Sequence, residues 1–309
     1  MLDGARVVIT GAAGFIGSHL AERLAARNTV VAFDRRAEPD TGNLAAVKGR
    51  IEYVRGDVRA PEDLARAVRG ADVVFHLAAI SAVPESFRDP IATNEVNVHG
   101  TLAVLRAAKV ASVRRVVFAS SAAVYGARPP PLPEDASFDL MSPYAVSKAA
   151  GELWCHLYHD LGSEAVALRP FNVYGPRQSP EGGAVIAAFL RAARTGEKPV
   201  VHGDGKQTRD FVYVGDVVEA FERAATAAGV SGEAINVASG TGLTINGLLA
   251  ALGDVLETPL AATYADVRPG DVRASFADTA KMGRLLGFRP RVTLAQGLLA
   301  TAEWMGRSP

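Results

Sequence analysis

Three glycines between an apolar run and an amphipathic segment constrain the fold of this chain more than any other feature of its sequence. Residues Arg6–Thr10 form the apolar run, which predicts a short buried strand. Gly11, Gly14 and Gly17 follow with the spacing G-x-x-G-x-x-G, and apolar residues then recur at helical intervals across residues 18–24. A strand, a glycine turn and a helix in this order are typical of the first unit of a doubly wound α/β fold.

The same glycines indicate that the turn binds the pyrophosphate of a dinucleotide. Gly11 would form the tight turn, Gly14 would let the backbone approach the pyrophosphate, and Gly17 would let the helix pack close to the strand. The N terminus of the helix offers free backbone N–H groups to the same anion. The commoner spacing of this fingerprint is G-x-G-x-x-G, so the prediction depends on the strand and the helix that flank the turn.

Carboxylates that follow the second and third predicted strands add to the cofactor prediction. The second strand, Thr29–Phe33, ends at Asp34, whose carboxylate would accept hydrogen bonds from ribose hydroxyls and repel a 2′-phosphate. This favours NAD over NADP, although the neighbouring Arg35 is a guanidinium that would receive a 2′-phosphate. Asp57 follows a third strand, Ile51–Val54, and would either contact the adenine amino group or cap the next helix.

Tyr144 and Lys148 are four residues apart, in the segment SPYAVSK. On a helix both side chains would lie on one face, one turn apart. The ammonium of Lys148 is then expected to lower the pKa of the Tyr144 phenol, which is otherwise about 10, so that it serves as a general base. Ser120 and Ser121 end a predicted strand, Val116–Ser121, and would either bring two hydroxyls to this site or cap the strand end.

Composition argues against several classes of partner. The 309 residues include 33 acidic and 33 basic residues, a balance that does not indicate nucleic acid or an anionic membrane as partner. The sequence shows no secretory signal pattern and no apolar run of membrane length. The single cysteine, Cys155, lies among apolar residues at helical spacing, which predicts a core residue in a reducing compartment. We therefore expect a cytoplasmic protein.

Strands and helices alternate up to about residue 170, which predicts a parallel sheet covered by helices on both faces. We expect residues 1–170 to form a Rossmann domain that binds NAD, with some later segments returning to it, and residues 171–309 to form mainly a smaller substrate lobe. His76 is expected to be packed within the fourth strand. The other predicted elements are a fourth strand at Val73–Ala79, a long helix around Pro90–Ala111, strands at Arg115–Ala119, Ala165–Leu168, Pro199–His202, Phe211–Val214 and Ile235–Val237, and helices at Asp216–Ala228 and Thr293–Trp304.

With these pieces in register, the chain resembles the extended short-chain dehydrogenase/reductase superfamily and, within it, the UDP-hexose 4-epimerases. The resemblance extends nearly from end to end, and its motifs are specific in combination. It rests on the segments Thr10–Leu20, Asp34, Gly56–Val58, His76–Ala79, Asn97–Thr101, Ser120–Gly126, Tyr144 with Lys148, Arg169–Arg177, Arg209–Asp216 and Arg268–Asp271.

The resemblance implies a role for many individual residues. It implies that Ser121 binds the reacting sugar oxygen, that Tyr144 moves its proton, and that Lys148 also holds the nicotinamide ribose. The implied cofactor contacts are Gly11, Gly14, Phe15, Ile16, Gly17, Asp34, Arg35, Asp57, Val58, Leu77, Ala78, Ala79, Asn97, Tyr144, Lys148 and Pro170.

The second lobe supplies the substrate-binding positions that the resemblance implies. Arg209 and Arg268 would clamp the pyrophosphate of a nucleotide sugar, since guanidinium groups suit phosphate oxygens. Taken alone, Arg209 and Asp210 would also fit a surface ion pair, and residues 268–271 a plain turn. The remaining implied contacts are Asn172 and Val185 beside the pyrophosphate, Val200 and His202 beside uracil, Asp271 at the nucleotide ribose, and Ser121 and Ser275 beside the sugar.

The activity expected from the resemblance is redox-neutral 4-epimerisation of a UDP-sugar through a 4-keto intermediate, without a metal. Ser275 stands where strict UDP-glucose/UDP-galactose epimerases often carry Tyr, so the N-acetylhexosamine pair is an equal candidate, and UDP-glucuronate is an alternative substrate. A dehydratase or decarboxylase would need acid/base residues after Ser121, where Ala122 and Ala123 stand. A non-catalytic NAD sensor would not require Ser121, Tyr144 and Lys148 together. A homodimer through the helices near residues 90–111 and 144–160 is also implied.

Overall fold

A seven-stranded parallel sheet occupies the centre of the protein in the computed structural model, which describes residues 1–37, 42–180, 184–267 and 272–307. The strand order is β10-β6-β5-β4-β1-β2-β3, so the chain direction across the sheet reverses between β1 and β4. In doubly wound folds such a switch point opens a crevice at the carboxyl ends of the strands. The strands are β1 (Arg6–Thr10), β2 (Thr29–Asp34), β3 (Ile51–Arg55), β4 (Val73–His76), β5 (Arg115–Ala119), β6 (Ala165–Pro170) and β10 (Ala234–Val237).

Helices cover both faces of this sheet, because alternate strand residues point to opposite sides. In β1, Val7 and Ile9 join an apolar cluster with Phe221, while Val8 joins a separate cluster with Val104 and Cys155. The helices are α1 (Phe15–Leu24), α2 (Pro61–Ala67), α3 (Val83–Arg88), α4 (Pro90–Asn94), α5 (Gly100–Val110), α6 (Pro143–Asp160), α7 (Val185–Thr195), α8 (Val214–Ala224), α9 (Ile245–Val255), α10 (Ala280–Leu286) and α11 (Leu294–Arg307). The fold is thus the predicted α/β Rossmann type.

The segments after β6 build two smaller sheets and return twice to the large one. β9 pairs with β7, β11 and β13, and β8 pairs with β12 in parallel. β10 joins the edge of the large sheet beside β6, and α8 packs against α1. The strands of the smaller sheets are β7 (Asn172–Tyr174), β8 (Val200–His202), β9 (Thr208–Tyr213), β11 (Gly242–Thr244), β12 (Thr263–Ala265) and β13 (Ala274–Ser275).

Several predicted boundaries were wrong. The fourth strand ends at His76, and residues 77–79 continue as loop at the rim of the crevice. The expected helix at 90–111 contains a π turn at Glu95–His99 that separates α4 from α5. Val214 begins α8 and does not end the preceding strand, and α8 stops at Ala224. Within the described ranges, none of the helices has the length and hydropathy that crossing a bilayer requires.

Candidate active site

A cleft of about 650 Å³ lies at the carboxyl ends of the strands, at the point where the sheet order reverses. The glycine turn after β1 forms one end of it, and residues after β5 and β6 form the other. The predicted cofactor-binding and catalytic residues that line it are Gly11, Gly14, Phe15, Ile16, Gly17, Asp34, Arg35, Asp57, Val58, Leu77, Ala78, Ala79, Ser121, Tyr144, Lys148 and Pro170.

The glycine turn packs against the residues after β4 and against α1 so closely that two of its glycines have no room for a side chain. Gly11 has a φ of +71°, in the left-handed region, and a Cβ there would lie 2.8 Å from the backbone nitrogen of Ala78. A Cβ on Gly17 would lie 2.3 Å from the carbonyl oxygen of Gly11. Among the described residues no side chain caps the N terminus of α1 at Gly14, so its N–H groups remain available to an anion. The turn therefore fits a bound pyrophosphate.

Asp34 stands at the end of β2, where a ribose-binding carboxylate was predicted, and it also braces the turn. Its Oδ2 accepts a hydrogen bond from the Ala13 nitrogen at 3.0 Å, and its Oδ1 accepts one from the Arg36 nitrogen at 3.1 Å. The Arg36 guanidinium and the Asn43 amide both donate to the Ala13 carbonyl oxygen, at 2.8 and 3.1 Å. Arg36 and Asn43 line the cleft as well, and the sequence analysis missed both because no motif marks them.

Asp57 does not cap a helix, so that alternative was wrong. The cap position of α2 is Ala60, and both oxygens of Asp57 accept hydrogen bonds from the Arg59 side chain, at 3.0 and 2.7 Å. The Arg59 guanidinium holds the pKa of the Asp57 carboxyl below its usual range. Asp57 is therefore anionic at the rim of the cleft, where it remains a candidate for the adenine end of a dinucleotide.

Asn97 and His76 support the wall of the cleft from behind. The Asn97 side chain bonds both the nitrogen and the carbonyl oxygen of Ile80, at 2.8 and 3.0 Å, and Ile80 lines the cleft. His76 is 1% exposed and is held between the hydroxyls of Thr10 and Thr101, which confirms it as a packed residue. Burial lowers the pKa of His76 to about 3, so the imidazole is neutral.

Ser121, Tyr144 and Lys148 meet at the end of the cleft that β5 and β6 form. Ser142 caps α6 by accepting from the Ala145 nitrogen, and this cap places Tyr144 in the first turn of the helix. Ser121 and Tyr144 both line this end of the cleft, and the Ser121 hydroxyl lies close enough to act on the pKa of the phenol. Ser121 also accepts from the Ala123 nitrogen as the cap of a short 3₁₀ turn after β5, and its role in the reaction stays a prediction.

Burial is the largest influence on the pKa values of Tyr144 and Lys148. The Lys148 nitrogen donates to the Ala119 carbonyl oxygen at 2.8 Å and lies 5.7 Å from the centre of the Tyr144 ring. Burial lowers the pKa of Lys148 to about 8. Burial also raises the pKa of Tyr144, and the hydrogen bond from Ser121 opposes that rise. The expectation that Lys148 lowers the pKa of the Tyr144 phenol was therefore wrong, because desolvation raises that pKa.

Strand pairing places three of the predicted substrate residues together in the second lobe. Asn172 begins β7 and donates to the Asp210 carbonyl oxygen at 2.9 Å, and Ser275 in β13 pairs with Arg209 in β9. The Arg209 guanidinium donates to the carbonyl oxygens of Thr208 and Val272. The suggested surface ion pair between Arg209 and Asp210 was wrong. Asp210 is fully buried, and its carboxylate accepts hydrogen bonds from three backbone nitrogens and from a serine hydroxyl.

The other predicted substrate residues lie further along the second lobe. Val185 begins α7, and Val200 and His202 are the two ends of β8. His202 is half-buried, and its Nδ1 lies 3.1 Å from the Asp266 carbonyl oxygen. Arg268 and Asp271 fall outside the described residues.

A family model covers most of the chain. Residues 7–238 match the model of the NAD dependent epimerase/dehydratase family. The chain belongs to this family. Its predicted superfamily and its dependence on NAD are thereby confirmed.

Individual members of the family match the chain over almost its whole length. A curated UDP-glucose 4-epimerase of Mycolicibacterium smegmatis is 39% identical over 308 residues, which cover 97% of this chain and 98% of that protein. A solved UDP-N-acetylglucosamine 4-epimerase from Methanobrevibacter ruminantium, in complex with UDP-N-acetylmuramic acid, superposes with a TM-score of 0.93 at 38% identity and covers 98% and 99% of the two chains.

Other members of the family differ in substrate or in reaction. The UDP-glucuronic acid 4-epimerase of Bacillus cereus, solved with UDP-glucuronic acid and NAD, has a TM-score of 0.91 at 31% identity and covers 98% of this chain and 99% of its own. A nucleotide-sugar decarboxylase and a dTDP-glucose 4,6-dehydratase are similar at 35% and 36% identity. The choice among these reactions therefore depends on the residues of the site.

Proposed function

We propose that the protein catalyses the NAD-dependent, redox-neutral 4-epimerisation of a UDP-sugar. One observation carries the choice of reaction: Ser121, Tyr144 and Lys148 line one end of the cleft, and the residues that follow the serine are Ala122 and Ala123. A dehydratase or a decarboxylase needs a further acid or base beside the serine, and an alanine side chain cannot transfer a proton. The site has the groups that oxidation and reduction at one carbinol carbon require.

The proposed proton transfers involve two side chains. Tyr144, as the phenolate, removes the proton from the sugar 4-hydroxyl, and Ser121 keeps its hydrogen bond to the same oxygen as the carbonyl forms. In the return direction Tyr144 gives the proton back to the oxygen of the 4-keto sugar. Because the group that donates the proton is the group that accepted it, the reaction needs no other acid or base.

The cleft supports NAD as the group that handles the hydride. The glycine turn and the N terminus of α1 would hold the pyrophosphate, Asp34 a ribose, and Lys148 the ribose nearest to Tyr144. NAD, when bound, supplies the hydride acceptor and a positive charge on its nicotinamide ring beside Tyr144. The N terminus of α6 also favours an anion at Tyr144, since the helix dipole is positive at that end. Both charges oppose the rise in phenol pKa that burial causes.

The second lobe would hold the UDP part of the substrate while the sugar turns over. We assign the pyrophosphate to Arg209, Asn172 and the N terminus of α7 at Val185, with Arg268 as a further cation. Val200 and His202 would contact uracil, and Asp271 its ribose. Residues 1–170, with the returning β10 and α8, then form the NAD domain, and residues 171–309 form mainly the substrate lobe.

Ser275 bears on which UDP-sugar reacts. It is half-buried beside Arg209, so a small side chain leaves room next to the expected sugar position. UDP-N-acetylhexosamines are therefore candidates alongside UDP-glucose and UDP-galactose. UDP-glucuronate is the alternative, because Arg177 lines the same cleft, although its guanidinium is paired with Glu22 and would have to share its charge with a substrate carboxylate.

A homodimer is supported by apolar side chains that two neighbouring helical segments expose. α3, α4 and α6 are in contact, and together they expose Phe87, Ile91, Val146, Leu153 and Leu157, each by at least 43%. Exposed apolar patches of this kind mark association surfaces. The protein is proposed to act in the cytoplasm, which fits the buried free thiol of Cys155.

Product analysis tests the proposed function. Purified protein is incubated separately with UDP-glucose, UDP-N-acetylglucosamine and UDP-glucuronate, and the products are assigned by NMR. We expect inversion at C4 of at least one sugar, with no net change in NAD or NADH. A 4-keto-6-deoxy sugar, a pentose product or no turnover of any of the three would contradict the proposal.

A further inference from the structure

Glu152 extends the row of functional side chains on α6 by one more turn. Tyr144, Lys148 and Glu152 are successive members of an i, i+4, i+8 series, so they share one face of the helix. All three side chains are buried, and Glu152 is 7% exposed. A carboxylate at such a depth is costly unless it has both a countercharge and hydrogen bonds.

The partners of Glu152 come from the ends of the two strands that carry the site. Ser120, which precedes Ser121 at the end of β5, donates its hydroxyl to Glu152 Oε1. Arg169 of β6 donates from Nε to Oε1 at 2.9 Å and from Nη2 to Oε2 at 2.7 Å. Arg169 directly precedes Pro170, which lines the cleft. One carboxylate therefore ties α6 to both strand ends.

The charges around Lys148 give Glu152 a second role. On β4, His76 is neutral, and on β5 the Phe118 ring and the Ala119 carbonyl oxygen face the ammonium. On α6, the nearby thiol of Cys155 has its pKa raised by burial and is therefore uncharged at neutral pH. The Tyr144 phenol, one turn away on α6, also has its pKa raised by burial and carries no charge at neutral pH in the protein without its ligands. Within the described part of the chain, Glu152, which shares its charge with Arg169 of β6, is thus the anion that opposes the lowering of the Lys148 pKa by burial.

We propose that Glu152 is a positioning residue for the catalytic pair, which supplies the buried countercharge of Lys148 and fixes the strand ends next to Ser121 and Pro170. The catalytic part of this inference rests on the proposed function. The electrostatic part does not, because it concerns the protonation of Lys148 in the folded chain.

Protein stability tests the electrostatic part without any substrate. The folded Lys148 has a pKa of about 8, below the 10.5 of an unperturbed lysine, so its attraction to Glu152 exists below about pH 8 and fades above it. Glu152→Gln should therefore lower the melting temperature most at pH 7. The difference in melting temperature between this variant and wild type should be smaller at pH 9.5 than at pH 7. The difference that remains at pH 9.5 comes from the lost ion pair with Arg169, because Arg169 stays charged at both pH values.

Two further variants separate charge from packing. Ser120→Ala removes a hydrogen bond to Glu152 but no charge, so its melting-temperature deficit should be the same at pH 7 and pH 9.5. If Glu152→Gln leaves Arg169 too poorly paired to fold, the double variant Glu152→Gln with Arg169→Met removes the partner charge as well. The difference in melting temperature between this double variant and wild type should likewise be smaller at pH 9.5 than at pH 7. All measurements use protein saturated with NAD.

The pH dependence of epimerisation tests the catalytic part. Glu152 raises the pKa of Lys148, so removing its charge should move the alkaline limb of kcat/KM to lower pH in Glu152→Gln, by about one pH unit. Glu152→Asp keeps the negative charge, so the alkaline limb of its kcat/KM profile should stay at the wild-type pH while kcat falls.

The outcomes separate the two proposals. If Glu152→Gln lowers the melting temperature equally at pH 7 and pH 9.5, as Ser120→Ala is expected to do, the role of Glu152 as countercharge is overturned. An unmoved alkaline limb in Glu152→Gln would overturn the effect on catalysis. If wild-type protein epimerises no UDP-sugar while the deficit narrows as expected, the proposed function fails and the countercharge of Lys148 stands.

Discussion

The nitrogen of Lys148 lies 5.7 Å from the centre of the Tyr144 ring, one helical turn further along α6. The cap of Ser142 and Pro143 at the first helical position fix where this helix begins, and therefore where both side chains emerge. Tyr144 is consequently at the positive end of the helix dipole, with a cation beside its ring. Burial nevertheless keeps the pKa of the phenol above its ordinary value in the protein without its ligands.

Tyr144→Phe should abolish most of the epimerisation while NAD remains bound. The change removes only the oxygen that transfers the proton, and a positioned general base contributes about 10²- to 10⁴-fold to a rate. Turnover of the UDP-sugar is measured by NMR, and the NAD content by release on denaturation. Tyr158→Phe, the same change about four turns further along α6, where Tyr158 packs against Lys109, is the matched control. Undiminished turnover in Tyr144→Phe would refute the mechanism.

Ser121→Ala should shift the acid limb of the pH profile to higher pH. Ser121 lowers the pKa of Tyr144 through their hydrogen bond, so its loss raises that pKa and leaves less phenolate at neutral pH. The rate should therefore recover in part as the pH rises. Profiles of kcat from pH 6 to pH 9 measure the shift, with the exposed Ser137→Ala as control. A uniform loss at every pH would contradict an effect of Ser121 on the pKa of Tyr144.

Local patterns in the sequence predicted the first half of the chain better than the second. The strand of Arg6–Thr10 and the glycine turn are local features, so their prediction needed no knowledge of distant contacts. The second lobe depends on pairings far apart in sequence, such as β9 with β13, which no local pattern encodes. The strand there was accordingly predicted to end at Val214, one residue too late, and the helix after it to end at Ala228 when α8 ends at Ala224.

In the candidate site, too, the features that local sequence encodes were predicted and those that depend on the folded environment were not. Ser121, Tyr144 and Lys148 could be named because their spacing and residue types fit one reaction, and all three line the cleft. The acidity of Tyr144 could not be predicted, since the balance between a nearby ammonium and burial depends on solvent exposure. Glu152 was also missed. A glutamate on a helix usually faces solvent, and its partner Arg169 lies on a strand 17 residues away.

Gly17→Ala should weaken NAD binding and destabilise the fold. A methyl group there would lie 2.3 Å from the Gly11 carbonyl oxygen, so α1 must move away from the turn. Overpacking of this kind costs about 1–3 kcal/mol. Isothermal titration with NAD and thermal unfolding measure the two effects. Gly49→Ala, where a Cβ meets nothing within 4 Å, should change neither, and equal affinities of the two variants for NAD would contradict the role of Gly17.

Leu153→Glu should dissociate the proposed dimer. Leu153 is 61% exposed on α6, the helix that packs against α3 and α4 with their exposed Phe87 and Ile91, so a charge there would be buried without a partner in the proposed interface. Sedimentation velocity should show a monomer for this variant and a dimer for the wild type. Leu299→Glu, at a comparably exposed leucine on α11, is the control and should stay dimeric. A monomeric wild type would remove the basis for the prediction.

Ser275→Tyr should narrow the range of substrates. Ser275 pairs with Arg209, beside the expected sugar position, and a tyrosine there would occupy the space that an N-acetyl group needs. Turnover of UDP-N-acetylglucosamine should fall by about tenfold or more relative to UDP-glucose, the effect of roughly 1–3 kcal/mol of steric conflict. Ser275→Ala keeps the space and should preserve the ratio of the two rates. If Ser275→Tyr lowers both rates equally, the residue lies away from C2 of the sugar, and substrate choice resides elsewhere in the lobe.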